Sequence, residues 1–204
     1  MSRSRNTEKE SVRAKYCIDR TEDGDVWLPR IVVRRPAPGD IHPLPRNILV
    51  GAIRLDVPVE HIYGLKRIEL RARQSKNVGR YFAEYWRDEK VIILYSLPLR
   101  WTIDTMPENR KRELESWVVK IFRKDNQWQV HWPSKIELCM WYFTEVFTHE
   151  LGHHFAEQYK KKRGKIDSRK FRELNANLHS LRLARDIFKR MRKRSAERKA
   201  KKHE

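Results

Sequence analysis

The sequence predicts an α+β fold, and three observations carry that prediction. Between Lys66 and Ser96 lie "KRIELRA", "GRYFAEYW" and "KVIILYS", segments rich in β-branched and aromatic residues and of strand length. Beyond Ser134 the apolar residues recur at intervals of three and four over two long stretches, the spacing of helices. The chain has 204 residues with seven Trp, seven Tyr and seven Phe, bulky material sufficient for one full core.

Taken in order, residues 1–25 are charged and aperiodic and are expected to form a disordered basic arm. "VWLPRIVVRR" reads as a short strand and "RRPAPGDIHPLPRN" as a proline-rich connection. "NILVGAIRLDVPVEHIYGL" reads as a strand and a turn of helix. The segments from Lys66 form a β-meander, its last two strands joined by Arg87, Asp88, Glu89 and Lys90. At Thr105 to Glu108 a capping box opens a helix that Leu114, Trp117, Val118 and Ile121 carry to Lys124. "QWQVHW" alternates as a strand, and a second capping box, Ser134 to Glu137, starts a helix from Lys135 to Arg163. That helix ends in lysines, which suit the negative end of its dipole, with Gly164 beyond. A last helix begins near Asp167, with Phe171, Leu174, Leu178, Leu181, Ile187, Phe188 and Met191 on its apolar stripe. The expected result is a single domain over 26–188, followed by a basic helical or disordered tail over 189–204.

Lys and Arg number 46 against 27 Asp and Glu, a net charge of +19 that draws the chain toward polyanions. Lys160, Lys161, Lys162 and Arg163 form one basic run, and Arg190, Arg192, Lys193 and Arg194 belong to another. Both are candidates for sequence-independent phosphate contacts with nucleic acid. No helix-turn-helix, zinc-finger or RNA-binding signature supports reading of bases. The N-terminal residues hold no apolar signal-peptide core, and no run nears the roughly 18 apolar residues of a membrane span, so a cytoplasmic protein without a membrane partner is expected. Cys17 and Cys139 are too few for a disulfide framework or a cysteine-based zinc knuckle; both read as plain thiols, Cys139 in the core.

The chemistry concentrates in "FTEVFTHELGHHFAEQY", Phe143 to Tyr159. On a helix, residues four apart differ by about 40° in azimuth and about 6 Å in height, so His149 and His153 project side by side and can share one ion. Zinc accepts neutral imidazole, and a catalytic site takes three protein ligands plus water. Glu150, about 100° round from His149, stands beside the ion, where a general base toward that water belongs. Gly152 weakens the helix interior by about 1 kcal/mol, which points to close approach of another packed element. The third ligand has to come from a separate segment, and "RKFRELNANLHSLRLA" offers Glu173, with Asn177 one turn along to orient a ligand histidine. His179 is a rival third ligand, about 120° away round the helix, so the two do not bind together.

"HELGH" followed by "ELNAN" resembles the gluzincin metallopeptidases, whose pattern is H-E-x-x-H with a downstream E-x-x-x-D/N, and most nearly the ImmA/IrrE-like minimal members with E-x-x-A-N. The resemblance covers roughly Phe143 to Ala184. It implies a zincin-like domain: a small β-sheet packed on the helix that carries the motif, and a following helix that supplies the third ligand. It implies one zinc ion per chain held by His149, His153 and Glu173, Glu150 as catalytic base and Asn177 as orienting residue. Asn175, His179 and Ser180 depart from the residues those members often carry. SprT-like proteases also join H-E-x-x-H to basic chains and commonly use a third histidine, which keeps His179 open.

The implied activity is hydrolysis of peptide bonds in a cytosolic, nucleic-acid-associated protein. A zincin aligns its substrate as an added strand on a sheet edge, and Lys90 to Ser96, with Ile92, Ile93 and Leu94, is the candidate edge; the competing reading has Ile92 and Leu94 packing the core. His154, His179, Tyr159 and Tyr95 are the candidate oxyanion donors. The alternative function is a basic nucleic-acid-binding protein with a structural or vestigial metal site.

Overall fold

Val91 to Tyr95 are five consecutive apolar residues, and all are buried. Such a run belongs in a strand covered on both faces. That strand, β6 (Val91–Tyr95), stands inside a four-stranded sheet of order β3-β4-β6-β5, formed with β3 (Arg30–Val33), β4 (Arg67–Arg71) and β5 (Ala83–Trp86). β3, β4 and β6 run parallel and β5 antiparallel to β6. Ile92 and Leu94 enter the main core, while Val91, Ile93 and Tyr95 form a second apolar cluster. A strand with no polar face is poorly suited to a solvated edge, which corrects the edge expected at Ile92, Ile93 and Leu94: the edge beside β6 is β5, and β3 forms the other edge. The meander is corrected with it, because β6 lies between β4 and β5.

The structure, a computed structural model, describes residues 19–21, 24–26, 28–73, 81–117, 119–163 and 169–200; for 19–26, 159–163, 169–171 and 191–200 it describes backbone alone. Most of the expected arm, Cys17, Gly164 and the helix start near Asp167 lie outside the described residues. β1 (Asp19–Thr21) and β2 (Gly24–Val26) pair as a hairpin. The parallel β3–β4 pair requires a crossover, and it contains α1 (Arg46–Leu55) and α2 (Val59–Ile62). Leu49 and Ile53, four apart and buried, give "NILVGAIRL" a helical face where a strand was expected.

A second, three-stranded sheet has the order β7-β9-β8, from β7 (Arg100–Ile103), β8 (Lys120–Lys124) and β9 (Gln127–His131). The helix expected from Thr105 to Lys124 is confined to α3 (Glu108–Glu115), and Pro107 rather than Thr105 holds its N-cap position, without a side-chain cap. Asp125 and Asn126, at φ 51° and 61°, turn the chain as a type I′ hairpin, so pairing of β8 with β9 overrides the helical spacing that ends at Ile121.

Lys135 to Arg163 is helical throughout, as expected. It comprises α4 (Lys135–Trp141), a π-helical segment Tyr142–Phe147 and α5 (Thr148–Arg163). Ser134 caps it, its Oγ accepting from the Ile136 N–H at 3.1 Å and bonded to Glu137. Trp141, Tyr142, Phe147 and Leu151 fill the core, and Cys139 packs against it. The last helix, α6 (Arg169–Ala200), has 32 residues and spans about 48 Å. Its buried face is Ala176, Ser180, Leu183 and Ile187, whereas Leu174, Leu178 and Leu181 are exposed. The apolar stripe expected through those three leucines is corrected accordingly. The described part of the chain is thus an α+β fold, and none of its helices is long and apolar enough to cross a membrane.

Candidate metal centre

Two helices carry the candidate ligands, and their smallest residues set how they meet. A Cβ added at Gly152 would lie 2.5 Å from the Ala176 carbonyl oxygen and 3.0 Å from its Cα. Only glycine admits the α6 backbone there. Four residues away on each helix, Thr148 Oγ1 and Ser180 Oγ share a buried hydrogen bond of 2.6 Å. Thr148 precedes Gly152 while Ser180 follows Ala176, so the helices run antiparallel. Glu173, three residues before Ala176, is thereby carried to the turn of α5 that bears His149 and His153. The π-helical segment lies immediately upstream, a wider turn of the kind frequent next to functional sites.

The three candidate ligands converge. His149 Nε2 and His153 Nε2 are 3.1 Å apart, and Glu173 Oε2 lies 3.4 Å from the first and 3.6 Å from the second. Donors arranged tetrahedrally at zinc-type distances would be separated by about 3.3 Å. The observed triangle has that size, so the group could hold a metal ion. Burial pushes the pKa of both imidazoles below the usual value, and His149 adds to the effect on His153. Both are therefore neutral near pH 7, the form that binds metals. Asn177 hydrogen-bonds His149 and works against its depression.

Glu150 is buried, on the side of α5 turned to β5. Burial, then the charges of Glu173 and Glu84, push its carboxyl up to about 8, opposed by a hydrogen bond from the Tyr85 backbone. Phe82 O accepts from Tyr95 N at 3.0 Å, and ladder alternation from that pair turns the main-chain groups of Ala83 and Tyr85 away from β6. The Tyr85 N–H thus reaches Glu150 from the free side of β5. The Tyr85 hydroxyl meets His154 Nδ1 at 3.0 Å, and His154 Nε2 meets the Tyr63 carbonyl at 3.0 Å. Burial pushes the His154 pKa down to about 4, so its neutral ring ties α5 to β5 and to the end of α2. Nothing in the sequence singled out Tyr85 or Thr148, or Ser180 as a helix contact; Gly152 was the one available signal for the close approach.

His179 stacks on Phe155 at 4.4 Å and is not in the ligand group, which among the described residues is His149, His153 and Glu173. Tyr95 belongs to the second apolar cluster, away from Ile92 and Leu94. Lys160, Lys161, Lys162 and Arg163 close α5, and Arg192, Lys193 and Arg194 lie in α6; their side chains, like that of Tyr159, lie outside the description, while Arg190 is exposed. The chain matches no protein-family model, no curated protein and no solved structure.

Proposed function

We propose that the protein is a zinc-dependent metalloendopeptidase with a zincin-like domain, in keeping with its resemblance to gluzincins of the ImmA/IrrE-like type. The observation that carries this reading is the triangle of 3.1, 3.4 and 3.6 Å between two imidazole nitrogens and a carboxylate oxygen, beside a buried carboxylate. His149, His153 and Glu173 hold the ion, and Asn177 orients His149. Zinc bound there supplies Lewis acidity, making water a better nucleophile and a carbonyl a better electrophile. Glu150, whose carboxyl its surroundings raise to about 8, takes a proton from attacking water in its ionised form and returns it to the departing amine nitrogen. The Tyr85 N–H keeps its carboxylate aimed. An extended peptide pairs with the outward main-chain groups of β5 at Ala83, which replaces β6 as the aligning strand. The substrate class in this reading is peptide bonds of a cytosolic protein, and the chain's net charge of +19 favours one associated with nucleic acid.

The test is metal analysis beside peptide cleavage. Chelator-free protein is expected to hold one zinc per chain, lost in His149→Ala and His153→Ala. Glu150→Gln is expected to keep the metal and lose cleavage of a degenerate peptide library read by mass spectrometry. Wild-type protein that binds no zinc at equimolar concentration, or Glu150→Gln that cleaves as fast as wild type, would overturn the reading.

A further inference from the structure

The three-stranded sheet turns only one face to the core. Trp101, Val130 and Ile121 form a row across β7, β9 and β8, and all three pack in the main core. Side chains alternate across a strand, so the intervening residues stand on the other face. There Arg100, His131 and Lys120 form one row and Thr102, Gln129 and Phe122 the next. Along β8 the sequence Lys120, Phe122, Lys124 sets a cation about 7 Å to either side of the phenyl ring. Phe122 is 41% exposed, and its ring meets His131 edge-on at 5.0 Å.

Elsewhere among the described residues several cations have acidic partners. Arg67 and Arg71 flank Glu69, Arg73 holds Asp40, and Arg110 holds Glu113. Among the described residues, no carboxylate pairs with Arg100, Lys120 or Lys124. Asp104, held by Gln127 at 2.8 Å, and Asp125 in the turn mark one end of the patch. The unpaired lysines and the open ring stand together on one face of β8, at positions 120, 122 and 124. A ligand that is both polyanionic and flat accounts for both.

We propose that the outer face of β7-β9-β8 binds single-stranded nucleic acid, with Phe122 stacking on a base and Arg100, Lys120 and Lys124 meeting phosphates. A single strand offers its bases' π-faces, whereas a duplex keeps them stacked inside, so the ring favours the open form. Charge steers and holds the backbone without reading sequence. None of these residues belongs to the ligand group His149, His153 and Glu173, and binding does not depend on zinc.

The experiment measures fluorescence anisotropy of a labelled oligo(dT) 20-mer with the full chain over a salt series, before and after EDTA. Phe122→Ala is expected to weaken binding about tenfold at fixed salt with little change of slope, as loss of one base stack would, while Phe122→Trp retains it. Lys120→Gln with Lys124→Gln is expected to flatten the slope of log K against log salt by about 1.4, two phosphates' worth for a single strand. EDTA is expected to change neither. Circular dichroism melting confirms that each variant folds; should Phe122→Ala not fold, the tryptophan and double-glutamine variants decide. The proposal falls if Phe122→Ala binds as wild type, or if the double variant keeps the wild-type slope because the terminal basic runs carry the binding. It falls equally if a 20-bp duplex or phosphatidylglycerol vesicles compete better than the single strand.

Discussion

From Glu173 to Leu181 the two sides of α6 invert the usual arrangement of an amphipathic helix, which the buried Leu183 and Ile187 restore further along. Toward α5 it presents Glu173, Ala176 and Ser180, small or polar; away from it stand Leu174, Leu178 and Leu181, all at least 46% exposed. The inner side is chosen by how closely two backbones can approach, and the outer side has no such constraint. Where a carboxylate has to reach a neighbouring helix, small residues that bring the backbones together position it better than large apolar ones that hold them apart.

The largest effect on the metal centre should follow from widening that contact. Gly152→Ala gains about 1 kcal/mol of helix propensity, but its Cβ meets the Ala176 carbonyl at 2.5 Å. Overpacking of this kind typically costs about 1–3 kcal/mol. The net expectation is a lower urea midpoint and, because Glu173 moves with α6, zinc lost on desalting where wild type keeps it. Unchanged zinc retention would show that the ligand geometry does not depend on the close approach. Next in size, Glu173→Gln should weaken zinc binding more than tenfold, while His179→Gln leaves it within about twofold. Titration against a competing chromophoric chelator reads both, and the reverse ranking would make His179 the third ligand.

A smaller effect appears with pH in chelated, metal-free protein. Glu150 has its folded pKa raised to about 8 from 4.5, so the stability it contributes is complete below pH 4.5 and is lost as pH rises through 8. His154 is lowered to about 4 from 6.5, so its contribution is complete above pH 6.5 and is lost as pH falls through 4. His149 and His153 are lowered as well and act in the same direction as His154. Between pH 6.5 and 8 Glu150 is left to set the slope among these four, and denaturation midpoints should fall with rising pH. Glu150→Gln should abolish that fall; a slope unchanged by the substitution would place its origin elsewhere.

How much of this was legible in the sequence depended on whether a signal was local. The histidine pair four apart, the helix around it and the Ser134 cap are decided within one or two turns, and all three could be read from residue types and spacing. The β8–β9 hairpin was missed although Asp125–Asn126 is a turn signal, because Leu114 to Ile121 also fits a helical period and only pairing with β9 decides the matter. Five apolar residues in a row fit the place of β6 inside its sheet, against the edge expected there, and pairing on both sides decides it. On α6 the helical period of Leu174, Leu178 and Leu181 marks the wrong side, because the helix packs through the small Ala176 and Ser180 together with Leu183 and Ile187. Tyr85 was beyond reach, since its backbone N–H acts on Glu150 across a tertiary contact and leaves no mark in residue type.

The smallest effect separates the two sides of α6 most cleanly. Leu178 is 46% exposed and Leu183 is 1% exposed on the same helix. Truncation of the second to alanine should cost about 2–5 kcal/mol, transfer and cavity terms together. Leu178→Ala removes surface that is already partly hydrated and loses no helix propensity, so its change should stay within about 0.5 kcal/mol. Urea melts at two protein concentrations measure both. A cost for Leu178→Ala approaching that of Leu183→Ala, growing with concentration, would mean that a second copy of the chain covers the leucine face in solution; the inversion of α6 would then be that of a helix with two partners rather than one.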